Sequence, residues 1–355
     1  MSLPVGATIG ILGGGQLGRM LASAAAKLGF RTIVFAPGEG LPASQTASQH
    51  MDADYSDTRA LLAFASACDV VTLEWENVPV SALDVITAAG TDVRPGKTAL
   101  DVAQDRASEK RFLESIDIAC APWREVDSLA ALKDAMEEIG PDAILKTRRD
   151  GYDGKGQVRL KAGDDLSAAW ESLKGAPAIV EGLVPFEMEI SIVLARGTGG
   201  EIATYPVPRN HHAGGILRRC EVPANVSSAT KAEAVDKARR LADALDYVGV
   251  LALEIFVLAD GSLLANEFAP RVHNSGHWTP EACLTGQFEN QICAVAGWPL
   301  GPTDLLAPAE MDNLIGEDAV APVSELLQRG SLTLYGKGEI RPGRKMGHVV
   351  RLLRD

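Results

Sequence analysis

Over the first ninety positions, apolar residues come in short solid runs separated by helix-spaced patterns. TIGIL at 8–12, RTIVF at 31–35 and VVTLEW at 70–75 read as buried parallel strands, because a strand covered on both faces loses the alternation of a half-exposed one. Residues 16–27 and 58–67 read as the helices between them, the first stopped by Gly29. This pattern is a doubly wound α/β half. A mainly helical stretch follows at 97–116. Next comes a small α+β unit: helix 128–139, strand AILKTR, a glycine-rich loop, strand QVRL, helix 165–173 and strand AIVEGLV. From Phe186 long strands dominate, interrupted by a helix at 230–246. In FEMEISIVL the residues Phe186, Met188, Ile190, Ile192 and Leu194 alternate with Glu187, Glu189 and Ser191, which is strand period. Three units are expected: an α/β unit at 1–100, an α+β unit at 101–185, and a strand-rich unit at 186–355.

A length of 355 residues fits more than one core. The net charge of −13 argues against a nucleic-acid partner but leaves nucleotides open, since a phosphate needs only a few local cations and backbone N–H groups. The five cysteines match no metal spacing and read as reduced, mostly buried thiols. The first residues lack a basic leader, and no apolar run reaches the roughly 20 residues of a membrane span. The cytoplasm is therefore the expected address.

Two glycine clusters stand out. Gly13-Gly14-Gly15-Gln16-Leu17-Gly18 fits G-x-G-x-x-G between a strand and a helix. A dinucleotide site should also close its second strand with an acidic residue, and here Phe35-Ala36-Pro37-Gly38 follows instead. A phosphate or polar substrate on the helix start, and a purely structural tight turn, both remain open. In the second cluster, Lys146 ends a strand, and Gly151-Tyr152-Asp153-Gly154-Lys155-Gly156-Gln157 leads into another. Three glycines let the backbone approach a polyphosphate, and because the motif is not G-x-x-x-x-G-K-[ST] and a strand follows, a loop over phosphates fits better than a P-loop. A loop over phosphates and an ordinary hairpin are the two readings.

The strongest signal lies in GVLALEIFVLADGSLLANEFAPR. Two strand-like runs flank Asp260-Gly261, a favoured two-residue turn, which predicts Glu254 directly opposite Glu267. Facing carboxylates repel unless a cation lies between them, and Mg²⁺ held by two carboxylates and substrate phosphates is a common arrangement. Asn266 becomes a further ligand if the strand twists locally. Arg271 and His273 follow at once, suited to steadying charge on a transferring group and to positioning or proton transfer. For His211-His212, a nucleotide contact and a plain surface loop are equally open.

Taken together, GGGQLGRM, EWENV, a lysine before GYDGKGQ, the paired acidic strands and APRVHNSGHWT resemble the ATP-grasp superfamily. Within it they resemble the N5-carboxyaminoimidazole ribonucleotide synthetases, and the likeness runs to RPGRKMGH near the C-terminus. The resemblance implies an ATP-grasp fold behind a Rossmann-like domain. It also implies ATP- and bicarbonate-dependent carboxylation of 5-aminoimidazole ribonucleotide through carboxyphosphate, usually by a homodimer. By the same resemblance, ATP falls on Arg106, Lys146, the 151–157 loop, Glu181, Gly182, Leu183, Val184, Glu189, His212, Asn266 and Glu267. Magnesium falls on Glu254 and Glu267. The ribonucleotide falls near Gln16, Leu17, Glu74, Tyr152, His273, Asn274, Ser275, Arg344 and Lys345, with Arg271 facing the carboxyphosphate. One departure stands out: Gly214 replaces the acidic residue common in N-x-H-x-D-G-I-L. The alternatives are another ATP-grasp ligase, such as a formate-dependent glycinamide ribonucleotide transformylase, and an NAD-dependent oxidoreductase.

Overall fold

The computed structural model describes residues 2–151 and 156–353. Three sheets organise the chain. The first is parallel, in the order Gln49–Met51, Arg31–Phe35, Thr8–Leu12, Val70–Leu73. Its solid apolar runs are buried on both faces, as their lack of alternation predicts. Helix Gln16–Lys27 spans the expected residues, while the third expected strand stops at Leu73 and frees Glu74 for the glycine cluster.

The second sheet is antiparallel, in the order Trp123–Val126, Ala178–Gly182, Ala143–Thr147, Gln157–Leu160. The third has nine strands. Its spine runs Leu263–Ala269, Gly249–Leu258, Phe186–Arg196, Arg209–Ala213, Ile216–Val222, Ala309–Ile315, Lys345–Leu352 and Ser331–Leu334, with Ile202–Thr204 paired to Phe186–Arg196. The C-terminal strands therefore extend the same sheet that carries Glu254 and Glu267.

The mainly helical stretch at 97–116 consists of two helices. Asp105 breaks the run: its carboxylate accepts from the Ala107 and Ser108 N–H groups and caps a second helix, Arg106–Ser115, behind Lys97–Ala103. Arg148 clamps the same carboxylate and fixes the helix start against the second sheet. Leu113 of the second helix is buried in the core of the large sheet, so Arg106 at its first turn is aimed at that sheet's bulged edge. Helix Ser228–Ala244 starts two residues before its expected position, capped by Ser227. All five cysteines are free thiols, and Cys220, Cys283 and Cys293 are buried.

Candidate active site

The two glutamates do meet, by a different route from the predicted one. The turn is a residue longer than expected: Leu258 closes on Ser262, and Phe256 pairs with Leu264 rather than with Ala265. A bulge then takes up the slip. Between Leu253↔Phe268 and Ile255↔Ala265, the single residue Glu254 faces both Asn266 and Glu267. The bulge thus restores the carboxylate pairing and places Asn266 beside it.

The carboxylates are not left alone with each other. Arg106 Nη1 lies 2.8 Å from Glu267 Oε2. Burial opposes the Glu267 charge, yet Arg106, with Lys146 and His273 nearby, holds its carboxyl below the usual range. Glu254 moves the other way, pushed up by burial and by the Glu267 charge. The expectation that repulsion alone demands a metal is therefore corrected, because an arginine already neutralises one partner.

Behind this pair, Glu181 bridges two lysines, Lys110 and Lys146. Burial works against the Glu181 charge, but the two ammonium groups bring its pKa down to about 2. Lys110 also donates to the Asn266 carbonyl at 2.9 Å, which braces the bulge. Glu109 accepts from the Phe268 N–H at 2.6 Å, and burial together with Glu267 pushes its carboxyl up to about 8. Sequence reasoning missed Glu109 and Lys110. The signal was their spacing, three and four residues beyond Arg106 on one helix face.

Arg271 reaches across to the first domain and pairs with Glu76 of EWENV. His273 Nε2 stands 3.6 Å from Glu254 Oε1, and burial with neighbouring Arg271 drops its pKa to about 3, so the ring is neutral. Asn274 is buried, and neither of its amide atoms has a hydrogen-bond partner. Ser275 is fully buried beneath His273, its hydroxyl partnered by Ser191 and the imidazole, so its expected place in contact with a ribonucleotide is corrected to a supporting one.

The first glycine cluster also needs correction. Glu74 Oε1 accepts from Gly15 N–H at 2.7 Å and Oε2 from Gly18 N–H at 3.1 Å. The chain's own carboxylate thus takes the donors that a phosphate would use. Close approach requires glycine here: a Cβ on Gly13 would sit 2.6 Å from Glu74 Oε1.

One cavity of about 780 Å³ gathers much of this chemistry. Its wall includes Gln16, Leu17, Glu74, Arg106, Gly151, Glu254, Glu267, Arg271, His273, Asn274, Arg344 and Lys345 from the expected set, joined by Glu109, His277, Lys337 and Arg341. Lys146, Glu181, Glu189, His212 and Asn266 lie outside that wall but next to it. Lys146 acts electrostatically on Glu267, and the Glu189–His212 pair acts on Glu254. His212 Nδ1 is 2.5 Å from Glu189 Oε2, whereas His211 pairs outward with Glu221. Gly182 and Leu183 give their N–H groups to the Pro122 and Asp142 carbonyls, and Val184 follows them. In the second glycine cluster, Gln157 opens the strand paired with Lys146 and Gly156, just before it, accepts from the Thr147 N–H, while Tyr152, Asp153, Gly154 and Lys155 lie outside the described residues.

Three family models match successive parts of the chain: a ribonucleotide synthetase preATP-grasp domain at 6–104, an ATP-grasp domain at 111–288, and a phosphoribosylaminoimidazole carboxylase C-terminal domain at 309–355. An N5-carboxyaminoimidazole ribonucleotide synthase from Brucella melitensis is 52% identical over 99% of this chain and 98% of its own. One from Bacillus subtilis is 42% identical over 97% and 91%. Among solved structures, the Staphylococcus aureus synthetase complexed with ADP aligns with a TM-score of 0.95 at 36% identity, covering 100% of this chain and 95% of its own. The Aspergillus clavatus synthase in complex with ADP and 5-aminoimidazole ribonucleotide aligns at 0.92 with 31% identity, covering 98% and 94%. On this likeness along nearly its whole length, the chain belongs to the N5-carboxyaminoimidazole ribonucleotide synthase family of ATP-grasp enzymes.

Proposed function

We propose that this chain is an ATP-dependent carbon–nitrogen ligase that carboxylates the exocyclic amine of 5-aminoimidazole ribonucleotide with bicarbonate, in purine biosynthesis. The observation that carries this reading is the single cavity in which Arg106, Glu254 and Glu267 meet Arg271 and His273, with Glu74 and Gln16 on one side and Arg344 and Lys345 on the other. Bicarbonate is a poor electrophile, so it needs a leaving group. One of its oxygens attacks the γ-phosphorus of ATP, ADP departs, and carboxyphosphate results. The amine nitrogen then bonds to the carboxyl carbon, directly or as released CO₂, phosphate leaves, and the nitrogen loses a proton.

Arg106 and Lys146 present fixed positive charge to the nucleotide phosphates, and Arg271, held by Glu76, faces the carboxyphosphate. Asn274 supports a ribonucleotide contact, because a buried amide without partners costs about 1–3 kcal/mol per group until a ligand supplies them. Arg344 and Lys345 suit the ribose phosphate.

Glu254 and Glu267, with Asn266 beside them, fit Mg²⁺: the repulsion that raises Glu254 is what a bound cation relieves. Glu254 and Glu267 would hold the ion, with substrate phosphate oxygens as the further ligands that such a site commonly takes. When bound, the ion neutralises phosphate charge. No helix among the described residues is long and apolar enough to cross a membrane. The resemblance to the synthetase family is what supports a cytoplasmic homodimer as the setting.

Phosphate release from magnesium-ATP, with and without the ribonucleotide and bicarbonate, tests the reading. Stimulation by aminoimidazole ribonucleotide is expected. Stimulation only by formate with glycinamide ribonucleotide overturns it in favour of the transformylase.

A further inference from the structure

His273 sits at the head of a short hydrogen-bonded chain that fixes the position of its proton. Two donors converge on Nδ1. The Ser275 backbone N–H points at it from 3.3 Å, and the Ser275 hydroxyl lies 2.9 Å away. A backbone N–H can only donate, so Nδ1 must offer its lone pair. Ser191 in strand Phe186–Arg196 donates its hydroxyl to Ser275 Oγ at 2.7 Å, which leaves the Ser275 hydroxyl proton free to turn toward the ring. Both serines are fully buried, so water does not compete for these bonds.

We propose that Ser275, backed by Ser191, is a positioning residue that holds the His273 imidazole with its proton on Nε2, so that His273 meets the reacting groups as a neutral hydrogen-bond donor and not as a base. The face it presents follows from the geometry. Nε2 points to the Glu254 side of the cavity, 3.6 Å from Oε1, where an N–H and a carboxylate attract. Resting on the carboxylation reading, the acceptor that Nε2–H serves during turnover is an oxygen of the carboxyl group in transit. The proton released by the amine then goes elsewhere, because Nε2 carries its own and Nδ1 is buried against Ser275.

Two measurements test this. The first needs no substrate: nitrogen-15 spectra of the whole protein labelled in histidine, with the His273 signals assigned by their loss in His273→Gln. Wild type is expected to show an unprotonated Nδ1 and a protonated Nε2. Ser275→Ala is expected to blur that distinction and lower kcat several-fold with the KM for ATP unchanged, and Ser191→Ala to do so less. A protonated Nδ1 in wild type, or a Ser275→Ala protein with unaltered spectra and kcat, overturns the proposal. The second compares replacements of the histidine itself. A glutamine amide reproduces an Nε2–H donor but not a base, so His273→Gln is expected within about tenfold of wild type, while His273→Ala falls about 100-fold. Equal losses in the two overturn the donor role. Because the spectra stand without turnover, an absence of ribonucleotide-stimulated phosphate release refutes the reaction assignment while leaving the proton position separately decided.

Discussion

Arg106 and Glu267 join a helix start to the bulged strand of the large sheet, with Nη1 and Oε2 2.8 Å apart. The arginine is the counter-charge for the more acidic member of a carboxylate pair. Arg106→Ala is therefore expected to leave Glu254 and Glu267 repelling each other in a poorly solvated cleft. The stability cost should be about 1–2 kcal/mol, less than for a fully buried pair because Glu267 opens into the cavity. Turnover should fall, and raising the magnesium concentration should recover part of both losses. The double variant Arg106→Ala/Glu267→Gln should regain the stability without the activity. Thermal unfolding and phosphate release across a magnesium series check each part, and additive stability losses in the double variant argue that the pair is not coupled.

Glu254 gives the opposite stability result. Its carboxyl is raised by burial and by Glu267, so its charge costs the ligand-free fold energy. Glu254→Gln removes that charge at constant shape. Ligand-free melting temperature should hold or rise at pH 8, while turnover falls about 100-fold as magnesium affinity is lost. If Glu254→Gln and Glu267→Gln both keep the wild-type magnesium dependence, the metal does not sit between them.

This site was legible in the sequence to the extent that local rules governed it. Solid apolar runs gave TIGIL and RTIVF at their true bounds, because burial on both faces leaves little choice of residue. The Glu254–Glu267 pairing was reached from a turn that is in fact one residue longer, and it held only because a bulge cancels the slip. No propensity announces a bulge; tertiary demand places it, here with Lys110 bracing the Asn266 carbonyl. The break inside the helical stretch at 97–116 was visible in principle, since Asp105 is a good cap, but its carboxylate is held there by Arg148, more than forty positions away. Contacts of that range also hid the roles of Glu74, Glu76, Glu109 and Ser275, each of which acts through a partner in another segment.

The Lys110–Glu181–Lys146 bridge predicts a change in acid stability. The Glu181 carboxyl lies near 2 in the folded chain, well below its ordinary value, so its contribution is present above about pH 4.5 and is lost as pH falls toward 2. Lys110 is the more deeply buried of the two lysines. Lys110→Met should cost about 3 kcal/mol at neutral pH, since it strands a buried carboxylate with one partner. It should also move the acid-unfolding midpoint to higher pH, followed by circular dichroism. Lys146→Met, at the cavity side, should cost less stability and more turnover. Equal acid midpoints for wild type and Lys110→Met would falsify the bridge as a source of folding energy.

Gly214 bears on whether the missing acidic residue matters. Gly214 and Gly215 form the two-residue turn between Ala213 and Ile216, with φ of +61° and +76°, the left-handed geometry that such hairpins demand. Aspartate tolerates that region better than most residues, and a Cβ added to Gly214 meets nothing within 4 Å. Gly214→Asp should therefore fold normally at a cost of about 0.5–1 kcal/mol, with its carboxylate at an exposed turn. His212, two residues earlier, is already held by Glu189 and does not need a second acid. Turnover and the KM for ATP should stay within about twofold of wild type, as for an exposed substitution away from the chemistry. A tenfold rise in turnover, or a tenfold fall in the KM for ATP, would mean that the turn reaches the nucleotide during the reaction, and that glycine at this position weakens the chain's hold on it.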